Sequence, residues 1–149
     1  MITAEDTITI GRPVHDVFAY VSDLRNDPAW HTDLLTVEQT SPGPAGVGTA
    51  YRATIKPFMG NNQALMEIVG FTPDRGLELT GSMGPLRPRI SFSFAGGNGG
   101  TSVTRRIQLQ PPGLMRLMQP IMGPMFRRRN VQFLGNLKRV LEEGGQHVN

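Results

Sequence analysis

The last third of the chain constrains the fold more than any other part. Residues 90–94 and 101–109 alternate between apolar and polar positions, and the glycine-rich stretch 96–100 lies between them. This pattern predicts a β-hairpin. From Leu114 onward, apolar residues recur with the 3.6-residue period of a helix, and the same stretch contains Met115, Met118, Met122 and Met125. The sequence therefore predicts a long C-terminal helix that covers one face of an antiparallel sheet.

The earlier part of the chain adds more strands and two short helices. Alternation and composition predict strands over residues 3–11, 34–39, 47–55, 62–71 and 77–82. Pro13 is suited to the first turn of one short helix. Ser22 or Asp23 can cap a second short helix, which Asp27–Pro28 disrupts. The predicted order is one strand, two short helices, the remaining strands and the long helix.

Proline and glycine residues also set limits on the long helix. Pro120 and Gly123–Pro124 are expected to kink it or to separate its first turns. Gly144–Gly145 is expected to end it, because glycine commonly follows the last helical residue.

Composition bounds the class of protein. The 149 residues are predicted to form one domain spanning residues 1–149, and an apolar content of 38% suits a globular chain. The chain has no Cys, which excludes disulfides, zinc–thiolate sites and a thiol nucleophile, and fits a reducing compartment. It has no basic-then-apolar leader and no apolar run of about 18 residues. We therefore expect a cytoplasmic protein without stable membrane insertion.

Charge is distributed unevenly along the chain. Residues 1–38 hold seven acids and two bases, whereas the remainder holds five acids and thirteen bases. Such asymmetry is compatible with an anionic partner. The simpler interpretation is that the acidic N-terminal helices face the basic later strands. No aromatic residues interleave with the bases in a recognition motif, so we expect no nucleic-acid partner.

Motifs for metal, nucleotide and hydrolytic chemistry are missing from the sequence. The histidines His15, His31 and His147 have no metal-ligand spacing, so no metal site is predicted. The chain has no GxSxG nucleophile motif. Its glycine clusters precede or join strands and do not open a helix, which excludes a dinucleotide-binding loop. We therefore predict no cofactor.

Four stretches of the sequence resemble a known family. They are residues 12–21 after the opening strand, residues 23–31, residues 47–49 before Tyr51, and the closing residues 137–142. Together they resemble the START-like superfamily (SRPBCC, or birch-pollen-allergen-like), and within it the polyketide cyclase/dehydrase-type family. The resemblance spans essentially the whole chain. That group mixes cyclases, lipid carriers and ligand sensors, so the resemblance implies a fold but not one function.

The fold that the resemblance implies is an α+β helix-grip fold. It has a curved antiparallel sheet of about six or seven strands wrapped on a long C-terminal helix, with two short N-terminal helices. Between sheet and helix such a fold holds a deep cavity, and the short helices form part of its rim. The apolar faces predicted for the sheet and the helix agree with this arrangement.

Arg105 is the first candidate for a functional residue. It falls in the apolar phase of strand 101–109 with Ile107, whereas Arg106 falls in the polar phase. A buried guanidinium needs an acid or a ligand oxygen as its partner. In a cavity, Arg105 could bind a carboxylate, an enolate or a phenolate. The alternatives are that strand twist places it at the solvent edge, or that it pairs with an acid such as Glu67.

Three further residues near the predicted cavity carry polar atoms. Tyr51 lies in phase with Ile55, so its ring can line a cavity and its hydroxyl would need a partner, although a structural tyrosine is the commoner case. The resemblance implies that the lone tryptophan, Trp30, packs at the cavity rim. His31 could serve as a general acid or base, but a histidine in a loop more often lies on the surface.

The C-terminal helix supplies the remaining candidates, Met118, Met122 and Phe126. Methionine adapts to irregular apolar volumes, and on this helix the core face and the cavity wall can be the same surface. In the run 127–129, three consecutive arginines cover more than half of the helix circumference, so one of them can point inward while the others remain solvated.

The predicted function is the binding of a hydrophobic small molecule, such as a lipid, a polyketide or another aromatic compound. The candidate ligand-binding residues are Trp30, Tyr51, Arg105, Met118, Met122 and Phe126. The alternative is a polyketide cyclase, aromatase or dehydratase in which Arg105, Tyr51 or His31 stabilises an enolate or moves protons. A third interpretation is a membrane-surface protein that delivers lipid through the Met-rich, Arg-flanked helix. The sequence leaves a homodimer open.

Overall fold

The computed structural model describes residues 1–147 of the chain. Two α-helices, α1 (Val14–Ser22) and α2 (Gln119–His147), accompany two 3₁₀ helices over Leu24–Ala29 and Gly113–Met118. The strands are β1 (Ile2–Ile10), β2 (Leu34–Gln39), β3 (Ala50–Phe58), β4 (Asn61–Thr72), β5 (Gly76–Ser82), β6 (Arg89–Gly97) and β7 (Gly100–Leu109).

The seven strands form one antiparallel sheet in the order β1-β7-β6-β5-β4-β3-β2. Strands β2 to β6 each pair with the next strand in sequence. The first strand, β1, pairs with the last strand, β7, along its whole length, with Ile8 opposite Val103. The curved sheet encloses α2. This arrangement confirms the predicted α+β helix-grip fold with a long C-terminal helix.

The main core lies where α2 crosses the concave face of the sheet. Phe133, Leu134 and Leu137 of α2 pack in one cluster with inward residues of β1 and β7, including Ile10 and Val103. Leu137 and Val103 are both fully buried. Burying an aliphatic side chain of this size stabilises a fold by about 1.5–3 kcal/mol. The apolar face that the helical period gives α2 therefore packs on the apolar face that alternation gives the strands.

The start and the end of α2 differ from the sequence expectation. The turns from Gly113 to Met118 separate into a 3₁₀ helix, and α2 begins at Gln119 with Pro120 in its first turn, where a missing N–H removes no helical hydrogen bond. α2 also continues past Gly144 to His147, because glycine is tolerated in a helix at a cost of about 1 kcal/mol relative to alanine. Among the helices of residues 1–147, none is long and apolar enough to cross a membrane.

The N-terminal helical segment is held by its own side chains. Asp23 accepts a hydrogen bond from the backbone N–H of Arg25 (3.2 Å) and so caps the first 3₁₀ helix, which contains Pro28. After this helix the backbone N–H groups of Trp30 and His31 both donate to the carbonyl oxygen of Asp27, at 3.0 and 2.7 Å. This tight turn places the side chains of residues 27, 30 and 31 close to one another.

Two ion pairs join the acidic N-terminal part of the chain to basic residues that follow it. Glu38 of β2 pairs with Arg52 of β3, and Asp33 pairs with Arg129 of α2 at 2.6 Å. Other acids pair locally, as Asp23 does with Arg25. Some of the N-terminal acids are therefore neutralised by later basic residues of the same chain, as the simpler interpretation of the charge distribution predicts.

Candidate ligand-binding site

A cavity of about 390 Å³ lies between the concave face of the sheet and α2. Its walls are mostly apolar side chains from β3 to β7 and from α2, among them Ile55, Ala64, Met66, Leu79, Ile90, Phe92, Ile107, Met125 and Phe126. Lys56, Pro57 and Leu65 on its lining are exposed, whereas Asp27, Trp30 and Arg105 at its other end are buried. The cavity therefore has an open mouth and a closed inner end.

Four polar residues, which we call the polar cluster, line the inner part of this cavity: Asp27, Trp30, His31 and Arg105. The tight turn after the first 3₁₀ helix supplies the first three, and β7 supplies Arg105. The side-chain amide of Asn136 donates to the carbonyl oxygen of Trp30 (3.1 Å), which fastens this turn to α2. The N-terminal segment is thereby held against α2.

Arg105 points inward, as the strand phase predicts, and is only 5% exposed. Its guanidinium carbon lies 5.7–5.8 Å from the ring centres of Trp30, Phe92 and Phe133. A cation held against aromatic faces is stabilised by their negative π-electron density. The alternative of a solvent-edge position is therefore wrong, and Glu67 is an exposed residue that makes no ion pair with Arg105 in the described structure.

The direct partner of Arg105 is a neutral side chain. Its Nη1 donates to Oδ1 of Asn130 on α2 at 2.6 Å. Its Nε has no hydrogen-bond partner within residues 1–147. Burial lowers the pKa of Arg105 to about 10, and the charge of Asp27 opposes that shift. The guanidinium therefore keeps its positive charge at neutral pH.

Asp27 is the second charged group at the inner end, and it is 6% exposed. Burial raises the pKa of Asp27 well above its usual value, although the positive charge of Arg105 opposes the shift. Its Oδ1 has no hydrogen-bond partner in the described part of the chain. A buried carboxyl group whose charged form is poorly solvated favours the protonated, neutral form.

His31 lies against α2. Its ring stacks on Phe133, with ring centres 4.0 Å apart, and its Nδ1 has no hydrogen-bond partner among the described residues. Burial first, and then the charge of Arg105, lower the pKa of His31 to about 3. The imidazole is therefore neutral near pH 7. His31 is half-buried, so it is not the exposed loop histidine that its position in the sequence favours.

The mouth of the cavity is bordered by an ion pair and an aromatic pair. Asp33 and Arg129 both line the cavity, and Arg129 Nη1 donates to both carboxylate oxygens of Asp33 at 2.6–2.7 Å. Phe58 of β3 meets Phe126 of α2 edge to face, with ring centres 6.4 Å apart. Arg129 is the arginine of the run 127–129 that turns toward the sheet.

The structure brings three of the six candidate ligand-binding residues to the cavity. Trp30, Arg105 and Phe126 line it. Trp30 is 1% exposed and lies in the interior, whereas the resemblance implied a place at the rim. Ligand contact by these three residues stays a prediction.

The other three candidates lie outside the lining of this cavity. Met122 is buried in a separate cluster with Ile2, Leu86 and Leu109. Met118 belongs to the second 3₁₀ helix and is 38% exposed. The α2 residues that line the cavity are Met125, Phe126 and Arg129, so both methionines precede the part of the chain that faces it.

Tyr51 lines a different pocket. That pocket is formed by α1, the loop around Pro44 and the end of β4, and it includes Phe18 and Phe71. The hydroxyl of Tyr51 is buried without a hydrogen-bond partner in residues 1–147, and burial raises its pKa. The strand phase predicted its inward direction, but not its distance from the main cavity.

Two residues of the inner end were not identified from the sequence. The sequence pattern indicates only that Asp27 disrupts a helix, and it predicts no role for Asn130. Asn130 nevertheless falls in the apolar phase of α2, four residues after Phe126 and four before Leu134, and it is 1% exposed. A polar residue in the buried phase of a helix is a detectable signal, because it needs a hydrogen-bond partner there. Among residues 1–147, no group of three or more His, Asp or Glu side chains is placed to hold a metal ion.

Solved structures with this fold come from several sources. The protein TTHA0849 from Thermus thermophilus aligns with a TM-score of 0.74 at 16% identity, covering 92% of this chain and 94% of that one. A START superfamily protein from Mycobacterium smegmatis aligns with a TM-score of 0.69 at 13% identity over 100% of both chains. DynU16, from the dynemicin biosynthetic locus, aligns with a TM-score of 0.68 at 20% identity, covering 97% of this chain.

These likenesses concern the fold, because all three identities are low. The alignment covers 48% of DynU16, so this chain spans about half the length of that protein. No curated protein sequence matches the chain significantly. The model of one family, described as polyketide cyclase / dehydrase and lipid transport, matches residues 1–142, and the chain therefore belongs to this family.

Proposed function

We propose that the protein binds a hydrophobic small molecule, such as a lipid, a polyketide or another aromatic compound, in the cavity between the sheet and α2. The observation that carries this proposal is an apolar cavity of about 390 Å³ whose closed end holds a single buried guanidinium, Arg105. Small-molecule sites are typically apolar concavities of about 300–1,000 Å³ with a few polar groups that orient the ligand. Family membership supports the same class of function.

The physical basis for binding is the transfer of an apolar ligand body from water to this surface. Each square ångström of apolar area removed from water contributes about 25 cal/mol. Trp30 and Phe126 supply large apolar areas at the two ends of the cavity, and Arg105 supplies a polar anchor. Ligand contact by these three residues is part of the proposal.

The test is a titration with a neutral apolar fluorescent probe, N-phenyl-1-naphthylamine, together with native mass spectrometry of the freshly purified protein. We expect saturable binding with one probe per chain, and a co-purified ligand would identify the chemical class. Weak, non-saturable binding to the folded protein would contradict the proposal.

A second candidate function is catalysis of a cyclisation or dehydration in the same cavity. Catalysis needs convergent titratable groups, and Asp27, His31 and Arg105 converge at the inner end with perturbed pKa values. Asp27 is the better acid or base near neutral pH because its pKa is raised, whereas His31 with a pKa of about 3 is a weak base. Arg105 would stabilise an enolate oxygen.

The two functions are separated by one variant. With a poly-β-ketone thioester as substrate, an enzyme should release cyclised product, and Asp27→Asn should abolish turnover while the neutral probe still binds. A wild-type protein that binds the substrate and returns it unchanged would exclude this catalytic role.

A further inference from the structure

The inner end of the cavity has polar atoms that are buried without a hydrogen-bond partner in the described chain. They are Oδ1 of Asp27, Nε1 of Trp30, Nδ1 of His31 and Nε of Arg105. Asp27, Trp30 and Arg105 are each more than nine-tenths buried, and all four residues line the same cavity. Buried polar groups normally have partners, so a group of unpartnered ones in a single cavity points to a ligand.

The chemistry of these atoms restricts what that ligand can offer. The indole Nε1–H of Trp30 and the Nε–H of Arg105 can only donate hydrogen bonds. A neutral carboxyl group at Asp27 donates as well, and burial favours that form. The two atoms that can only donate, Nε1 of Trp30 and Nε of Arg105, therefore both need an acceptor.

The charge balance points in the same direction. Arg105 is cationic, and its direct partner, Asn130, is a neutral amide. The other charged groups on the cavity lining include Asp33 and Arg129, which already neutralise each other at the mouth. Lys56 on the lining is exposed, and Asp27 carries no charge in the protonated form that burial favours. With Asp27 protonated, the positive charge of Arg105 remains at the inner end, close to the rings of Trp30, Phe92 and Phe133.

We infer that the inner end binds the anionic oxygen of a ligand with an apolar body, namely a carboxylate, phenolate or enolate, which accepts hydrogen bonds from Trp30 and Arg105. This inference rests on the proposed function and names its ligand class. A monoanion balances the single guanidinium, whereas a dianionic phosphate would leave an excess negative charge among apolar side chains. Charge-assisted hydrogen bonds of this kind are stronger than neutral ones.

The test compares acids with neutral counterparts of the same shape. The competitors are two acid–alcohol pairs, decanoic acid with decan-1-ol and 2-naphthoic acid with 2-naphthalenemethanol. The affinity of each compound is measured from its displacement of bound N-phenyl-1-naphthylamine near neutral pH. We expect each acid to bind at least about tenfold more tightly than its alcohol. Arg105→Met should bring acid and alcohol to equal affinity, and Trp30→Phe should weaken the acids by several-fold.

The matched control is Arg106→Met, because Arg106 is the next residue of β7 and is exposed. It should retain the preference for acids. Two results would overturn the inference and leave the proposed function standing. One is that the wild type binds each acid and its alcohol with equal affinity, and the other is that neither acid displaces the bound probe. Failure of the probe itself to bind would overturn the proposed function as well. The wild-type comparison needs no variant, so it decides the matter even where Arg105→Met does not fold.

A second inference rests on the outer surface and is independent of the first. The second 3₁₀ helix and the first turn of α2 expose large apolar side chains, with Leu114 84%, Leu117 78%, Ile121 71% and Met118 38% exposed. We call these four residues the apolar patch. Arg116, Arg127 and Arg128 around it are exposed too. Residues 83–141 contain ten Arg and Lys and no Asp or Glu.

The apolar patch is continuous with the cavity region. Met115 of the same 3₁₀ helix packs against the buried cluster of Ile2, Leu86, Leu109 and Met122. Phe58, Met83 and Phe126 pack against that cluster too, and these three residues also line the cavity. An apolar ligand passing between a bilayer and the mouth would therefore cross a short apolar surface. We propose that this patch docks on an anionic lipid bilayer, with its apolar side chains in the interface and its arginines among the headgroups.

Co-sedimentation with lipid vesicles tests this docking. We expect binding to phosphatidylcholine vesicles that contain about 30% phosphatidylglycerol, little binding without the anionic lipid, and release at about 0.5 M salt. Leu117→Ser/Ile121→Ser should weaken binding at least about tenfold. Val47→Ser, which changes an equally exposed residue (70%) elsewhere, should have no effect. The proposal would be overturned if the protein did not bind the vesicles, or if the double variant bound them as tightly as the wild type. Binding to soluble polyglutamate without binding to vesicles would also overturn it and would indicate an acidic macromolecule as the partner.

Discussion

Arg105 of β7 and Asn130 of α2 are joined by two reciprocal hydrogen bonds. Nη1 of Arg105 donates to Oδ1 of Asn130 at 2.6 Å, and Nδ2 of Asn130 donates to the backbone oxygen of Arg105 at 3.1 Å. An amide is suited to this place because it offers a donor and an acceptor at once without adding charge. The pair fastens the helix to the sheet and fixes the guanidinium at the inner end of the cavity.

Replacing Asn130 should therefore weaken the fold. Asn130→Ala removes both hydrogen bonds and leaves a buried cation without its direct partner, so we expect a loss of about 2–4 kcal/mol in the free energy of unfolding. Urea denaturation measures it. Gln132→Ala, at an exposed site on the same helix, should change stability by less than about 0.5 kcal/mol. Similar stabilities of the two variants would show that the pair is not structurally important.

His31 should make the protein sensitive to acid. Its pKa is about 3 in the folded protein and about 6.5 when unfolded, so the unfolded chain binds a proton in this range and the folded chain does not. Stability should fall by roughly 3–5 kcal/mol as the pH drops from about 6.5 to about 3. His31→Phe, which keeps an aromatic ring against Phe133, should reduce this loss in melts across the range. The control variant His15→Gln changes a side chain that is 81% exposed, and it should leave this loss of stability unchanged.

Asp27 should have the opposite dependence on pH. Because its pKa is raised in the folded protein, the folded chain holds a proton that the unfolded chain has already released. Stability therefore falls as the pH rises from the unfolded pKa through the folded one. Asp27→Asn should remove this decline, so the variant gains stability relative to wild type on going from about pH 5 to pH 8.5. Glu67→Gln, at an exposed site, should follow the wild type, and an Asp27→Asn curve parallel to wild type would refute the assignment.

Filling the cavity should block binding without unfolding the protein. Ala64 lines the cavity, so Ala64→Phe should lower the affinity for N-phenyl-1-naphthylamine at least about tenfold while stability changes by about 1 kcal/mol or less. Met122 lies in a separate core cluster. Met122→Trp should thus cost about 1–3 kcal/mol through overpacking and leave probe affinity nearly unchanged. The reverse pattern would show that ligand occupies a different place.

Trp30 should report on ligand directly, because it is the only tryptophan and it lines the cavity. Its indole lies against Phe92 and near the guanidinium of Arg105. A bound ligand should shift its emission, whereas acrylamide quenching should be weak both before and after binding, because the side chain is already 1% exposed. Tight binding with unchanged emission would place the ligand away from the inner end.

Local periodicity accounts for what could be predicted at the site. The alternation of residues 101–109 placed Arg105 on the inward face, since successive strand side chains point to opposite faces whatever surrounds them. The same rule predicted that Tyr51 points inward. It could not say how far along the concave face either residue lies, which depends on the twist and register of the whole sheet. Arg105 therefore lies in the cavity and Tyr51 in another pocket.

The sequence by itself determined the elements, their order and the apolar faces of the sheet and helix, because hydrophobic period and turn chemistry are properties of short segments. Only the tertiary structure decided which residues meet at the inner end. Asp27, Arg105 and Asn130 come from a 3₁₀ helix, a strand and an α-helix. No local pattern encodes the hydrogen bond between Arg105 and Asn130 or the place of Asp27 and Arg105 in one cavity. The periodicity of the C-terminal helix likewise could not say which of its apolar residues face the cavity, and the structure places Phe126 there but not Met118 or Met122. Residue type sets the ordinary pKa values of Asp27, His31 and Arg105, and burial in that packed interior shifts them.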